Sequence, residues 1–303
     1  MIRHRNAKTS APARVVVLGQ KGFVASELIG LLGSRDVETV PLSSRTHDLR
    51  REETAEELKR ILRPDDRLVF TSALTPDRGR DAKTLVDNLL MAKTVCQALA
   101  EAPVRHLVYI SSDAVYSDAS GLIGEWSPCD PTTLHGLMHL TRERLLEQTA
   151  LRHQFSYTVM RPTLLFGAGD THNGYGPNRF IRSALADRRI TLFGEGEERR
   201  DHVYVRDLCR LIALVLWHQS EGVLNVASGV SASFREIARQ VARCVGNGVE
   251  VCGVPRQSAV THRHFDVTER LRSFPGFAST PLDQALATTV SRMTEPAPAR
   301  VAP

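Results

Sequence analysis

Residues 15–26 read V-V-V-L-G-Q-K-G-F-V-A-S, and this stretch decides the fold. The β-branched run at 15–18 is typical of a buried strand, and a helical stretch follows the second glycine. Gly19, Gly22 and Ala25 have the spacing of a turn whose backbone approaches a pyrophosphate at a helix N-terminus. The spacing alone is a weak signal, because a plain strand-turn-helix unit has the same pattern.

Short apolar runs alternate with helical stretches along the chain. Strands are predicted at 15–18, 37–42, 68–71, 107–110 and 157–160, and helices at 23–32, 81–100 and 134–150. This alternation predicts an α/β protein with a Rossmann-type, doubly wound parallel sheet. After residue 166 a glycine-rich loop begins, a strand at 223–226 returns to the sheet, and the remaining segments predict a smaller C-terminal α/β lobe.

Composition limits the classes of partner. The net charge is +5 and the isoelectric point about 9.1, but the basic residues are interspersed, so we expect no nucleic acid partner. They are almost all arginine, which suits a small anionic substrate. The five scattered cysteines include no C-x-x-C pair, which favours reduced thiols and a cytoplasmic location. We expect no signal peptide, because the N-terminal residues are polar and basic, and no membrane-length apolar run follows them.

Four later segments complete a pattern with the glycine turn. They are I-S-S-D-A-V-Y at 110–116, L-H-G-L-M-H-L-T-R-E at 134–143, N-G-Y-G-P-N-R-F at 173–180, and L-F-G-E-G at 192–196 running into R-D-H-V-Y-V-R-D at 200–207. In this order they resemble the extended short-chain dehydrogenase/reductase family of nucleotide-sugar epimerases, dehydratases and ketoreductases. The resemblance covers residues 14–293.

The resemblance implies a role for each matching position. The cofactor residues would be Gly19, Gln20, Lys21, Gly22, Phe23, Val24, Ser44, Arg45, Asp48, Leu49, Ser72, Ala73, Asn88, Ser111, His139 and Pro162. The catalytic residues would be Ser112, Asp113, His135 and His139, and the substrate residues Asn178, Phe193, Arg200 and Arg263. The cofactor would be NADP or NAD, and the substrate a nucleoside-diphosphate sugar. We favour NADP, because Arg45 follows the second strand where NAD enzymes carry an acid.

The resemblance implies two lobes, and the composition of the chain ends implies an arm and a tail. Residues 1–13 would be a flexible arm and residues 294–303 a disordered tail. The NAD(P)-binding domain would consist of residues 14–166 and a later return at about 201–228. The substrate lobe would consist of residues 167–200 and 229–293. Family members often pair through a helix bundle, so we expect a homodimer.

The chain departs from the family at its proton-transfer pair, Tyr-x-x-x-Lys. Histidine stands at both positions, 135 and 139, and the last lysine of the chain is Lys93. Three explanations are open. His135 is the acid/base, since imidazole titrates near neutrality; another group, Asp113, Tyr116 or Tyr175, has taken over; or catalysis is lost and binding kept. A zinc site on the two histidines with Asp113 or His172 is disfavoured, because a nicotinamide would occupy that space, and we assign no metal.

The function we expect is hydride transfer at a sugar carbon by an NAD(P)-dependent epimerase or 4-ketoreductase. A dehydratase ranks lower, because its acidic pair is only half present: Ala114 follows Asp113. A catalytically inactive cofactor sensor or partner subunit is the other alternative.

Overall fold

The computed structural model describes residues 1–117, 121–246 and 248–295. The strands are β1 (Arg3–His4), β2 (Arg14–Leu18), β3 (Glu38–Leu42), β4 (Arg67–Phe70), β5 (His106–Ile110), β6 (Leu122–Ile123), β7 (Ser156–Pro162), β8 (Leu164–Phe166), β9 (Arg189–Phe193), β10 (Arg199–Tyr204), β11 (Ser220–Val226), β12 (Ser231–Ser233), β13 (Glu250–Val254) and β14 (His264–Phe265). The helices are α1 (Phe23–Gly33), α2 (Thr54–Ile61), α3 (Ala82–Glu101), α4 (Leu134–His153), α5 (Pro177–Asp187), α6 (Val205–His218), α7 (Phe234–Val245), α8 (Thr268–Ser273) and α9 (Leu282–Thr294), with a 3₁₀ turn at Asp113–Val115.

The central sheet has the strand order β1-β11-β7-β5-β4-β2-β3. The strands from β11 to β3 run parallel. β2 lies between β3 and β4, so the order of the strands reverses at β2. The connections after neighbouring strands there run to opposite sides, which leaves a crevice at the carboxyl ends of the strands. This is the doubly wound sheet that the alternation of strands and helices predicts.

Side chains alternate between the two faces of the sheet because a strand repeats every two residues. Val15 and Val17 pack with α1 and α6 on one face. Val16 and Leu18 pack with α2, α3 and α4 on the other. The central strands are therefore apolar throughout, as expected of a parallel sheet covered by helices on both faces.

The segments outside the central sheet form smaller sheets, with strand orders β12-β10-β8, β13-β9 and β14-β6. β10 pairs with β8 here, so the return to the central sheet begins with α6 and not at residue 201. The sequence interpretation also missed α2 and α6. Whether the two parts correspond to cofactor and substrate domains stays a prediction.

The N-terminal residues differ from the flexible arm expected at 1–13. β1 pairs antiparallel with β11 at the sheet edge, Ile2 is buried in the core, and the His4 ring stacks on His218 with ring centroids 4.3 Å apart. The expectation is wrong for these residues, because their partners lie more than 200 positions away and local polarity gives no sign of them. At the other end, α9 extends to Thr294, and residues 296–303 of the predicted tail lie outside the described residues.

Candidate active site

The glycine turn between β2 and α1 forms the floor of the crevice. Gly19 has φ +104°, and a Cβ placed there would lie 2.7 Å from the Thr71 hydroxyl oxygen, so only glycine fits without strain. Gly22 caps α1, whose first turn contains no acidic residue. The positive end of the helix dipole is therefore uncompensated and open to an anion.

A cavity of about 400 Å³ opens above this turn. Predicted cofactor residues that line it are Gly19, Lys21, Gly22, Phe23, Ser44, Asp48, Ser72 and Ala73. Gln20 instead donates its backbone N–H to the Leu42 carbonyl oxygen, 3.0 Å away. Leu49 is buried in the core, and Arg45 is exposed and does not line this cavity.

Arg50 lines the cavity, and the sequence interpretation missed it. Its guanidinium donates to both carboxylate oxygens of Asp48, at 2.9 and 2.6 Å. This bond is the main reason that the pKa of Asp48 lies below its ordinary value. A cation thus lines this edge of the cavity, five residues later in the chain than Arg45.

A second cavity of about 340 Å³ adjoins the first, and Gly22, Phe23, Ala73 and His172 line both. Predicted site residues that line the second cavity are Val24, Ser111, Ser112, Asp113, His135, His139, Pro162 and Asn178. The catalytic candidates therefore lie together, next to the turn that would hold the cofactor.

The two histidines lie one turn apart on α4. Their rings meet edge to face with centroids 4.7 Å apart. Burial, with smaller contributions from the charges of His172 and Arg142, lowers the pKa of His135 to about 4. His139 is 4% exposed, and burial holds its pKa well below the ordinary value. Both imidazoles are therefore neutral at pH 7, which differs from the near-neutral titration expected from the sequence.

Ser112 and Asp113 begin the 3₁₀ turn that follows β5. The Ser112 hydroxyl oxygen accepts from the Ala114 N–H, 3.1 Å away, and so caps this turn. Burial raises the pKa of Asp113, although Arg263, 3.5 Å from its carboxylate, lowers it. A carboxyl group in this position can hold a proton at a higher pH than a solvated one.

A buried ion pair fixes α4 against the sheet. Arg161 on β7 donates to both carboxylate oxygens of Glu143 on α4, at 3.0 and 2.6 Å. The Ser111 hydroxyl donates to the same carboxylate, 2.5 Å away. Ser111 thus serves this network, although it also lines the cavity, and the network determines where His135 and His139 lie relative to β5.

Two predicted asparagines hold loops in place. The Asn88 amide bonds to the backbone N–H and carbonyl of Leu74, at 2.9 and 3.0 Å, and Leu74 lines the first cavity. The Asn178 amide does the same for Gly167, at 3.0 and 2.7 Å. Both side chains are almost fully buried, so both shape the site through the loops that they bind.

The predicted substrate arginines lie behind the second cavity and do not line it. Arg200 pairs with Glu198 and bonds to Thr261. Arg263 donates to the backbone oxygens of Asp113 and Tyr116, at 3.0 and 3.3 Å. In this structure both guanidinium groups therefore bind protein oxygens.

Phe193 also lies outside the second cavity. Its ring is 43% exposed and stacks on Tyr175 with centroids 4.6 Å apart. It therefore offers a free aromatic surface.

His172 lies on the loop before α5. Its Nδ1 is 3.1 Å from the Asp77 carboxylate, so it connects two loops that border the cavities. Among the described residues, no group of three or more histidine, cysteine or acidic side chains is placed to hold a metal ion. No helix in the described part of the chain has the length and apolar character of a membrane span.

A parallel sheet with a glycine turn at its switch point, beside a pocket of titratable side chains, defines the class of Rossmann-fold dinucleotide-dependent enzymes. The model of the NAD dependent epimerase/dehydratase family matches residues 15–227. The chain belongs to this family.

Individual relatives agree. GDP-L-fucose synthase from Sinorhizobium fredii is 26% identical in an alignment of 294 positions that covers 90% of this chain and 93% of that protein. The structure of MoeE5 in complex with UDP-glucose and NAD is 25% identical, with a TM-score of 0.80 over 92% of this chain and 98% of that one. A GDP-L-fucose synthetase from Naegleria fowleri bound to NADP, 18% identical, has a TM-score of 0.83 over 96% and 97%.

These findings confirm three predictions: the resemblance to the extended short-chain dehydrogenase/reductase family, the Rossmann-type fold, and membership of an NAD(P)-dependent family of nucleotide-sugar enzymes. They do not test the roles of individual residues, including the histidines.

Proposed function

We propose that this protein transfers a hydride between NAD(P) and a carbon of a nucleoside-diphosphate sugar, as an epimerase or a 4-ketoreductase. One observation carries the proposal: His135 and Ser112 line the same cavity, and this cavity adjoins the one over the glycine turn. A sugar carbon placed there would lie next to the nicotinamide. The sugar nucleotides named with the relatives give the substrate class.

His135 is the proton-transfer group in this proposal. Its neutral imidazole accepts the proton of a sugar hydroxyl as the hydride leaves, while Ser112 donates a hydrogen bond to the same oxygen. Burial and the cations around it disfavour the imidazolium, whereas the phosphates of bound ligands stabilise it. Because kcat/KM reports the free enzyme, its acid limb should lie near pH 4 rather than near 6.5.

The decisive experiment compares His135→Phe with His153→Phe on a panel of sugar nucleotides. His153 lies on the last turn of the same helix, α4, and lines neither of the two cavities. We expect His135→Phe to lower kcat by roughly 10²–10⁴-fold while cofactor binding is kept and His153→Phe stays near wild type. Near-wild-type turnover of His135→Phe would refute the role of this histidine.

Two alternatives each have an observation in their favour. The raised pKa of Asp113 suits the general acid of a dehydratase. The protein partners of Arg200 and Arg263 suit a binder that does not turn over sugar nucleotides. Water loss from the product would indicate the first; cofactor binding with no redox change on any sugar nucleotide would indicate the second.

For the cofactor we propose NADP over NAD, with Arg50 rather than Arg45 beside the 2′-phosphate. Arg50 lines the first cavity, and a guanidinium matches a phosphate group well. The Asp48 carboxylate, bonded to Arg50, would have to exchange that bond for the phosphate. NAD binding tighter than NADP binding would refute this choice.

We also propose a homodimer in the cytoplasm. Exposed apolar side chains lie on the adjacent helices α3 and α4, namely Val86, Leu90, Leu134, Leu137 and Leu145, and a second copy would cover them. All five cysteines are free thiols, which fits a reducing compartment. Light scattering that gives a monomer mass at micromolar concentration would contradict the dimer.

A further inference from the structure

The site contains a phenol and a permanent cation, although neither stands where the family pattern puts it. The phenol is Tyr109 on β5, whose hydroxyl lies 2.7 Å from His139 Nδ1. The cation is Arg142 on α4, one turn after His139 and fully buried. Neither residue lines the two cavities, so both act through what they touch.

We propose that Tyr109 and Arg142 are positioning residues that hold His139 as a neutral imidazole with its proton on Nε2. His139 then donates a hydrogen bond to an oxygen of the bound ligand and does not carry protons, so His135 alone transfers the proton. The ligand in this statement rests on the proposed function; the state of the imidazole does not.

The tautomer follows from the hydrogen-bond inventory of the phenol. Tyr109 is 1% exposed, and among the described residues His139 Nδ1 is the hydrogen-bond partner of its hydroxyl. If Nδ1 carried a proton and donated it, the buried phenol proton would have no acceptor, which is costly. The phenol therefore donates to Nδ1, and the remaining proton of the neutral ring is on Nε2.

The neutral state follows from the surroundings of the ring. The Arg142 guanidinium lies 4.2 Å from the Phe70 ring centroid and 5.1 Å from that of Tyr109. It donates to the Ser72 carbonyl oxygen, 2.9 Å away, and forms no ion pair with a carboxylate among the described residues. The nearest carboxylate on α4, Glu143, is already paired with Arg161. A second buried cation at His139 would therefore meet repulsion without compensation.

The consequence for ligand binding concerns the other ring nitrogen. His139 lines the second cavity, and among the described residues its Nε2 has no hydrogen-bond partner. A fixed N–H donor is thus available to a hydroxyl oxygen of the ligand, and it needs no reorientation on binding.

Nitrogen-15 NMR of the wild-type protein without ligands tests this inference. We expect the His139 resonances, assigned by their loss in His139→Gln, to show an Nε2-protonated ring that does not titrate between pH 5.5 and 8. In Tyr109→Phe we expect a mixture of tautomers. In Tyr157→Phe, which removes a phenol from the neighbouring strand β7, we expect the wild-type pattern.

An Nδ1-protonated or titrating His139 in the wild type would overturn the inference, and so would an unchanged tautomer in Tyr109→Phe. If that variant does not fold, the wild-type spectrum still decides. On activity, Tyr109→Phe should raise the KM for cofactor or sugar nucleotide roughly three- to tenfold, with less effect on kcat. A wild-type protein with the expected tautomer and no turnover would refute the proposed function and leave this inference standing.

Discussion

The glycine turn and the first two turns of α4 both line the candidate site, but they are built differently. In the turn, the function belongs to the backbone: Gly19 adopts a conformation that other residues disfavour, and α1 begins after Gly22 beside the first cavity. In α4, the function belongs to side chains whose state depends on Tyr109 and Arg142. A site made of backbone can be predicted from the local sequence. A site made of side chains on α4 depends also on residues that other strands and helices place beside them.

The largest expected effect on ligand affinity comes from Gly19→Ala. The new Cβ would meet the Thr71 hydroxyl at 2.7 Å in a backbone conformation that alanine disfavours. Strain of roughly 1–3 kcal/mol should weaken cofactor binding about 10- to 100-fold, measured by calorimetry. In the control Gly30→Ala the new Cβ has nothing within 4 Å, and affinity should not change. An equal loss of cofactor affinity in both variants would show that the backbone conformation at Gly19 has no particular role in cofactor binding.

Acid should act on the buried histidines, of which His135 lies on α4 and none lies in the glycine turn. His106, His135 and His202 have pKa values lowered to about 3, 4 and 4 by burial, so they stay neutral in the folded chain while the unfolded chain binds protons below about pH 6.5. The unfolded state then binds more protons, and stability falls as the pH drops from 6.5 to 4.

We expect a loss of roughly a few kcal/mol over this window in urea titrations, with a smaller slope in His135→Gln. A free energy of unfolding that does not change between pH 6.5 and 4 would mean that the histidines are solvated. The proposed difference between α4 and the glycine turn would then be wrong.

The edge of the cofactor cavity offers a sharper test. Arg50→Gln should lower NADP affinity about tenfold with little change for NAD, whereas Arg45→Gln should change neither by more than about twofold, since Arg50 lines the cavity and Arg45 does not. Dissociation constants of both variants for NADP and NAD decide which of the two arginines lies beside the 2′-phosphate. A larger effect at Arg45 would restore the assignment made from sequence.

The smallest expected effect is on stability in Arg142→Met. Replacing a buried cation that has no carboxylate partner among the described residues by an apolar chain of similar length removes a desolvation cost and leaves the Ser72 carbonyl without its donor. We expect a net change within about 1 kcal/mol, together with a rise in the pKa of His135, because a nearby positive charge is gone. Proton NMR titration measures the latter; an unchanged pKa would show that Arg142 does not affect the histidines.

Much of the site was predictable where the signal is local. The strand-turn-helix unit, the serine pair after β5 and the helical spacing of His135 and His139 all lie where the sequence predicts. Arg50 was missed because it lies in the turn before α2, and neither that turn nor the helix was recognised. Tyr109 was missed because its strand reads as plain core, and an alternating strand does not reveal which helix its side chain meets.

By itself, the sequence determined the order of strands and helices, the glycine turn and the set of side chains available for chemistry, since these depend on propensities and spacings within a few residues. Only the tertiary structure decided which of those side chains meet and in what state. It buried the imidazoles, placed Arg142 beside them with no carboxylate partner in the described part of the chain, and bound Arg200 and Arg263 to protein oxygens. Protonation and pairing depend on distance and desolvation, and these are properties of the packed chain.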